Sequence, residues 1–221
     1  MGYTMYKTFI FDLDGTLLDT LDDLTDAVNA ALDAFGLPLR TKTEVCAFVG
    51  NGIVKLIERA IGYEHERFAE ILEAFKSYYK AHCADKTKPY AGIMPLLQGL
   101  KDRGAQTAVV SNKADFAVKQ LAKEYFGGLL EDAVGENEAA GIRKKPAPDS
   151  VLSVMEKLGA EKATTVYIGD SEVDIQTAEN AGVDCISVTW GFRTEKFLKD
   201  NGAVKLINRP SEILAFCEEE V

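Results

Sequence analysis

Short apolar segments alternate with amphipathic helical patterns from about residue 86 to the end of the sequence. The apolar segments at 106–110, 132–134, 165–168, 185–188 and 204–207 are predicted strands, and Thr8–Phe11 has the same character. Strands that are apolar on both faces belong in a parallel sheet covered by helices. Because a helix separates successive strands, the pattern predicts a doubly wound, Rossmann-like α/β core.

One long segment interrupts this alternation. Between Thr20 and Asp85 the apolar residues recur only at helical spacing, for example at Leu21, Leu24, Val28, Leu32 and Phe35. We therefore predict a catalytic core at 1–18 and 88–221, with an all-helical cap domain at 19–87 inserted after the first strand.

Net charge limits the possible partners. The formal charge is -10 and the pI is about 4.8, which argues against nucleic acid or an anionic membrane surface as a partner. The sequence shows neither a leader nor a segment long enough to span a bilayer, so we expect a cytoplasmic protein, monomeric or weakly dimeric. An anionic substrate would have to be attracted locally, by a metal ion or a few placed cations.

Polar residues follow three of the predicted strands directly. Asp12, Ser111 and Asp170 each come immediately after an apolar segment. In open parallel sheets, ligands bind beyond the carboxyl ends of the strands, close to the point where strand order reverses. These three residues are therefore expected to meet at one edge of the sheet.

Carboxylates dominate the predicted site. Asp12 and Asp14 lie two residues apart and would repel each other unless a cation or a shared proton offsets their charge. Asp170 adds a third acid from another strand end, and Asp174 lies one helical turn beyond it. Because no histidine or cysteine is near these positions, Mg²⁺ is the predicted cofactor.

Other residues near the acids are suited to holding an anion. Gly15 and Thr16 supply a turn and a hydroxyl, and Ser111 and Asn112 supply a hydroxyl and backbone donors at the end of a strand. Lys145 precedes a proline that holds its backbone extended. Such a set could neutralise a transferring phosphoryl group.

Four segments, in this order, resemble the signatures of the haloacid dehalogenase-like hydrolase superfamily. They are 12–16 (Asp-Leu-Asp-Gly-Thr), 111–112 (Ser-Asn), 145–146 (Lys-Pro) and 169–174 (Gly-Asp-Ser-Glu-Val-Asp). The resemblance extends over the whole chain and includes a helical cap after the first signature.

The resemblance implies a mechanism. Asp12 would attack phosphorus and form an aspartyl phosphate, while Asp14 would protonate the leaving oxygen and later activate water. Mg²⁺ would be bound by the Asp12 carboxylate, the Asp14 backbone carbonyl and Asp170. Ser111 and Lys145 would bind phosphoryl oxygens.

The same resemblance implies supporting roles for three residues. Thr16 would help to position Asp14, whereas Ser171 and Asp174 would support the metal site or Lys145. True dehalogenases lack the second acid of the first signature, so the presence of Asp14 favours phosphoester chemistry.

The cap contains a glycine-rich loop. Residues 48–60, which include Gly50, Asn51 and Gly52, resemble phosphoglycolate phosphatases, in which such a loop approaches the active site when the cap closes. The resemblance implies contact between this loop and a small phosphorylated metabolite. The sequence leaves open whether Arg59 or Arg193 contacts the substrate.

Several alternatives remain at this stage. Another small-molecule phosphatase, a pyrophosphatase or a phosphosugar mutase of the same fold would share these residues. A receiver-like phosphoacceptor domain pairs similar groups, but receivers are shorter and lack a cap. An inactive binding module is disfavoured by the intact set of acids.

Overall fold

A computed structural model describes residues 5–217. Its strands are β1 (Thr8–Phe11), β2 (Leu18–Asp19), β3 (Lys88–Pro89), β4 (Gln106–Ala114), β5 (Asp132–Glu136), β6 (Thr165–Gly169), β7 (Asp184–Val188) and β8 (Lys205–Ile207). Its α-helices are α1 (Leu21–Ala34), α2 (Lys42–Phe48), α3 (Ile53–Ile61), α4 (Phe68–His82), α5 (Ile93–Asp102), α6 (Asp115–Phe126), α7 (Asp149–Leu158), α8 (Glu172–Ala181) and α9 (Glu195–Asp200).

Six of these strands form one sheet in the order β5-β4-β1-β6-β7-β8. Every neighbouring pair in it is parallel. The chain leaves β1 for β4 on one side and later crosses to β6 on the other, so strand order reverses at β1. The predicted α/β fold with a doubly wound parallel sheet is therefore confirmed.

The central strands are buried on both faces. All four residues of β1 and all five of β6 are buried. Side chains alternate between two apolar clusters: Phe9 and Phe11 pack on one face of the sheet, and Ile10 and Tyr167 on the other. Because both faces of these strands are covered, their sequences are continuously apolar and do not alternate between apolar and polar residues.

Helices α1 to α4 form the inserted cap. The long helices α1 and α4 pack together through their apolar faces, where Leu24, Leu32, Ile71 and Phe75 are buried. The helical character predicted for this segment is confirmed. The boundaries 19 and 87 stay a prediction.

A short antiparallel ribbon connects the cap to the core. Leu18 pairs with Pro89 and Asp19 with Lys88. Strands β2 and β3 thereby hold together the two chain segments that connect the core to the cap. The buried carboxylate of Asp23 accepts hydrogen bonds from two backbone N–H groups of the return segment, at 3.0 Å and 2.8 Å. The sequence did not predict this ribbon, because two residues per strand are too few to show periodicity.

Strand β4 is longer than predicted. The apolar pattern ended at 110, but the strand continues through Ser111 to Ala114, with an irregular register against β5 between Val110 and Ala114. At one edge of the sheet, β8 begins at Lys205, one residue later than predicted, because Val204 is exposed and unpaired with β7. The ends of the predicted core, 1–4 and 218–221, lie outside the described residues. Across 5–217, no helix is both long and apolar enough to cross a membrane.

Candidate active site

Two strand ends and the first turn of a helix bring the predicted acids together. Asp12 follows β1, Asp170 follows β6, and Asp174 lies in the first turn of α8. One carboxylate oxygen from each lies within 4.8 Å of the others. The convergence predicted from sequence is thus present at the carboxyl edge of the sheet.

Asp12 lies in a largely buried position beside a cation. Its Oδ2 is 3.0 Å from Nζ of Lys145, and its Oδ1 accepts a hydrogen bond of 2.7 Å from the N–H of Leu13. Burial raises the pKa of Asp12 to about 7, with Lys145 opposing this rise and neighbouring carboxylates adding to it.

Lys145 is held among acceptors. Its Nζ donates to Oδ1 of Asp174 at 2.8 Å and to the hydroxyl of Tyr167 at 2.9 Å. Burial opposes the charged form, yet the carboxylates of Asp12 and Asp174 keep the pKa of Lys145 well above its ordinary value. The site therefore contains a permanent buried cation.

Asn112 fixes the backbone of Lys145. Its Oδ1 accepts from the Lys145 N–H at 2.8 Å, and its Nδ2 donates to the Lys145 carbonyl at 3.0 Å. The preceding cations point elsewhere: Arg143 pairs with Asp149 and Lys144 with Glu138. Of these three neighbouring cations, the structure places the predicted one, Lys145, in the site.

Asp174 is oriented from both sides. Besides Lys145, it accepts at Oδ2 from the Ser171 N–H at 3.1 Å and from the Ser171 hydroxyl at 2.6 Å. A Cβ on Gly169 would lie 2.2 Å from Cγ of Asp174, so only glycine leaves room for this carboxylate. These contacts agree with the supporting positions expected for Ser171 and Asp174.

The carboxylate of Asp170 packs against backbone atoms of two other segments. Its Oδ2 accepts from the N–H of Phe192 at 2.6 Å, and the Thr16 hydroxyl lies 3.4 Å from its Oδ1. A Cβ on Gly15, which has a φ of +82°, would lie 2.4 Å from Oδ2, and a Cβ on Gly191 would lie 2.4 Å from the Asp170 Cβ. The two glycines thus make space for one carboxylate, and sequence reasoning missed Gly191.

Electrostatics at Asp170 favour a nearby cation. Burial raises the pKa of Asp170 well above its ordinary value, and the charges of Asp174 and Asp12 raise it further. All potential metal ligands in the Asp12, Asp170 and Asp174 cluster are carboxylate oxygens, which suit a hard cation such as Mg²⁺. The chemistry of the donor set therefore fits the predicted metal.

Asp14 is held by residues that the sequence did not indicate. Its Oδ1 accepts from the Thr20 hydroxyl at 2.7 Å and from Nζ of Lys113 at 2.8 Å. The resemblance assigned this positioning to Thr16, whose hydroxyl instead points to Asp170. The one available signal for Lys113 was its place directly after the Ser111 and Asn112 pair.

Lys113 connects the core to the cap. It is buried, and Nζ also contacts the hydroxyl of Tyr79 on α4. Burial opposes its charge, but Asp14 and Tyr79 together raise the pKa of Lys113 above its ordinary value. A second permanent cation therefore lies beside Asp14.

The cap loop meets the core through its backbone. The carbonyl of Gly50 accepts a hydrogen bond of 3.1 Å from Nδ2 of Asn112, and Gly50 and Gly52 have φ values of +121° and +83°. Both glycines line the cavity over Asp12. The side chain of Asn51 turns to Arg59 instead and lines a separate groove, so its substrate contact stays a prediction without support here.

Arg59 and Arg193, the two candidates for substrate contact, both donate hydrogen bonds to backbone carbonyls of the cap. Arg193 donates to the carbonyls of Cys46 at 2.9 Å and Val49 at 2.8 Å, while Arg59 donates to that of Phe48 at 2.7 Å. Arg193 thereby ties the core to the cap.

Asp12, Asp14 and Asp170 line a partly open cavity of about 50 Å³ between core and cap. The core wall is polar, with Asp12, Asp14, Ser111 and Asp170 among its members. The cap wall is mainly apolar and comprises Leu24, Val49, Ile53, Leu56 and Tyr79 together with the glycine loop. Such a cavity suits a ligand of few atoms.

Comparison with known proteins agrees with this geometry. The family described as haloacid dehalogenase-like hydrolase matches residues 9–188. A phosphoglycolate phosphatase of Aquifex aeolicus is 30% identical, with 97% of this chain and 98% of that protein covered. Phosphoglycolate phosphatase 1 of Pseudomonas aeruginosa is 31% identical over 96% of this chain and 80% of its own length.

Solved structures show the same similarity. A candidate phosphoglycolate phosphatase from Lactobacillus delbrueckii superposes with a TM-score of 0.92 at 38% identity, covering 97% of this chain and all of the other. A predicted phosphoglycolate phosphatase from Haemophilus somnus superposes with a TM-score of 0.88 at 26% identity, over 96% of this chain and 98% of its own. Cap and core therefore occur together in both relatives.

Proposed function

The chain belongs to the haloacid dehalogenase-like hydrolase family and is a phosphatase, and we propose that it hydrolyses a small phosphomonoester through a phosphorylated Asp12. One observation carries the proposal. Asp12 lies 3.0 Å from the buried ammonium of Lys145, while Asp14 lines the same cavity. A nucleophile, a cation for phosphoryl oxygens and a second acid are thus within reach of one substrate.

Mg²⁺ is the proposed cofactor. The Asp12 and Asp170 carboxylates and the Asp14 backbone carbonyl would hold it, with Asp174 and Ser171 supporting the arrangement. When bound, the ion would neutralise charge on the phosphoryl oxygens and on the buried acids. The oxygen-only cluster supports this assignment.

In the first half-reaction, a carboxylate oxygen of Asp12 attacks phosphorus and forms a new P–O bond. The bond from phosphorus to the leaving oxygen breaks, its electron pair stays on that oxygen, and Asp14 supplies a proton. Lys145, the Ser111 hydroxyl and Asn112 would hold the phosphoryl oxygens. The backbone N–H groups of Gly15 and Thr16, also expected to bind phosphate, donate instead to the carbonyls of Leu18 and Leu13. The products of this step are an alcohol and aspartyl phosphate.

In the second half-reaction, Asp14 accepts a proton from water as the water oxygen attacks phosphorus. The P–O bond to Asp12 then breaks and its electron pair returns to the carboxylate. Inorganic phosphate leaves, and the next cycle begins with Asp14 protonated again. One residue thereby acts as acid and then as base.

We propose 2-phosphoglycolate as the first substrate to test. The small cavity favours a substrate of few atoms, and the cap at 19–87 covers it with apolar side chains and the backbone of Gly50 and Gly52. The named relatives are phosphoglycolate phosphatases at about 30% identity over nearly the whole chain. These observations support, in the same way, another small phosphomonoester.

A phosphate-release screen with Mg²⁺ tests the proposal. The panel contains 2-phosphoglycolate, pyrophosphate and hexose phosphates, and the highest kcat/KM is expected for 2-phosphoglycolate. Preference for pyrophosphate would make the chain a pyrophosphatase. Isomerisation of a hexose phosphate that depends on a bisphosphate activator would make it a mutase, and no release from any ester would overturn the proposal.

A further inference from the structure

Lys113 occupies a position that the reaction outlined above does not use. It lies two residues after Ser111 in β4, and its side chain is 2% exposed. Its Nζ donates to Oδ1 of Asp14 at 2.8 Å and contacts the hydroxyl of Tyr79. A buried ammonium with two such partners needs both of them, because burial of an unpaired charge is costly.

The two oxygens of Asp14 have different surroundings. Oδ1 accepts from the Thr20 hydroxyl at 2.7 Å as well as from Lys113, whereas no described residue donates a hydrogen bond to Oδ2. Donors from two separate elements limit rotation of the carboxyl group. Oδ2 is thereby left as the oxygen that exchanges a proton with the substrate.

Tyr79 connects Lys113 and Asp14 to the cap. It lies on α4, is 2% exposed and stacks on Phe75 with ring centroids 5.5 Å apart. Its hydroxyl reaches Lys113 on the core, across the boundary between the two parts of the chain. Displacement of α4 away from the core would remove this partner from Lys113.

We propose that Lys113 is a positioning residue that orients Asp14 for proton transfer, and that Tyr79 links this orientation to closure of the cap. This inference rests on the proposed function, since it concerns the acid of that reaction. It predicts that losing Lys113 impairs leaving-group protonation more than attack by Asp12. Esters whose leaving group needs no proton should therefore be affected least.

Three esters separate the possible roles of Lys113. 4-Nitrophenyl phosphate releases a stable phenolate without a proton, ethyl phosphate requires protonation, and 2-phosphoglycolate requires it and also carries a carboxylate. The quantity to compare is kcat/KM, because it reports the steps up to departure of the first product. Dephosphorylation of Asp12, common to all three esters, does not enter it.

For Lys113→Met we expect kcat/KM to fall roughly 100-fold with both alkyl esters and less than about 10-fold with the aryl ester. For Tyr79→Phe, kcat/KM should again fall more with the alkyl esters than with the aryl ester. The fall with the alkyl esters should be only roughly 5-fold, since the change removes one hydroxyl. Lys113→Arg should recover part of the loss. The double variant should lose less than the product of the two single losses, because both act through one contact.

Matched controls are Lys119→Met, an exposed lysine paired with Asp115, and Tyr78→Phe, the neighbouring tyrosine on α4. Neither should change the ratio of alkyl to aryl kcat/KM. Equal losses with all three esters would overturn the proposal, and so would a loss confined to 2-phosphoglycolate, which would indicate direct binding of its carboxylate. A wild-type protein inactive on every ester would instead overturn the proposed function.

Variants that lose thermal stability are compared through the same ratio, which does not depend on the fraction folded. The increase in melting temperature on adding Mg²⁺ should be equal in wild type and Lys113→Met, since Lys113 contacts only the Oδ1 side of Asp14. A Lys113→Met protein with an unchanged alkyl to aryl ratio contradicts the proposal whatever its stability.

Discussion

The ammonium of Lys145 lies 3.0 Å from Oδ2 of Asp12. Both side chains are largely buried, and the same ammonium donates to Asp174 at 2.8 Å. A phosphoryl group attached to Asp12 would therefore form beside a cation that is already paired and oriented. This arrangement reduces the reorganisation that charge development would otherwise require.

Asp12→Asn should reduce Mg²⁺-dependent phosphate release by roughly 10³-fold or more, because an amide cannot act as the nucleophile. Lys145 retains Asp174 as its partner, so the fold should persist. Steady-state phosphate release and far-UV circular dichroism measure the two effects. Asp149→Asn, at a half-buried aspartate that pairs with Arg143 outside the site, is the control. Turnover close to wild type in Asp12→Asn would exclude Asp12 as the nucleophile.

Removal of divalent metal should abolish turnover, and Mg²⁺ should restore it. Binding to the native state alone should raise the free energy of unfolding by about 2.7 kcal/mol at 100 times the Kd. Asp170→Asn should need more Mg²⁺ for the same rise in melting temperature, because it removes one carboxylate of the cluster. An identical Mg²⁺ dependence in the variant and the wild type would remove Asp170 from the metal site.

Gly191→Ala should weaken the site through sterics alone. The new Cβ would lie 2.4 Å from the Asp170 Cβ and from the Gly15 carbonyl, so one of them must shift. We expect a loss of roughly 1–3 kcal/mol in the free energy of unfolding, measured by urea denaturation, together with weaker Mg²⁺ binding. Gly128→Ala, where no atom lies within 4 Å of the new Cβ, serves as the control. A fully stable Gly191→Ala protein would show that the loop can move aside.

Arg193→Met should loosen the closed cap. The guanidinium donates to the carbonyls of Cys46 and Val49, and hydrogen bonds from charged donors contribute roughly 1.5–3 kcal/mol each. We expect faster amide hydrogen exchange in α2 and the 49–52 loop, and a lower kcat/KM. Arg59→Met is the matched variant, because Arg59 binds Phe48 and Asn51 within the cap. Equal exchange at the cap–core contact in both variants would count against the role given to Arg193.

The local pattern of the sequence was enough for the architecture of the core. Apolar segments such as Thr8–Phe11 are buried on both faces, and each predicted strand exists in the sheet. The acids could be placed as well, since a residue that directly follows a parallel strand must lie at its carboxyl edge. Lys145 was distinguished from two neighbouring cations by the proline after it.

Other features depend on distances that no local pattern encodes. The β2–β3 ribbon pairs residues about 70 positions apart, and Gly191 approaches Asp170 from a separate loop. Thr20 rather than Thr16 reaches Asp14 because the chain turns between them and places their hydroxyls on different carboxylates.

The sequence by itself determined the fold class, the helical insertion and the set of acids, because these follow from periodicity and from the position of residues relative to strands. Only the tertiary structure decided which partners each acid has. Lys113 on β4 donates to Asp14 and contacts Tyr79 on α4, and the partners of a buried charge are selected by packing across the whole molecule.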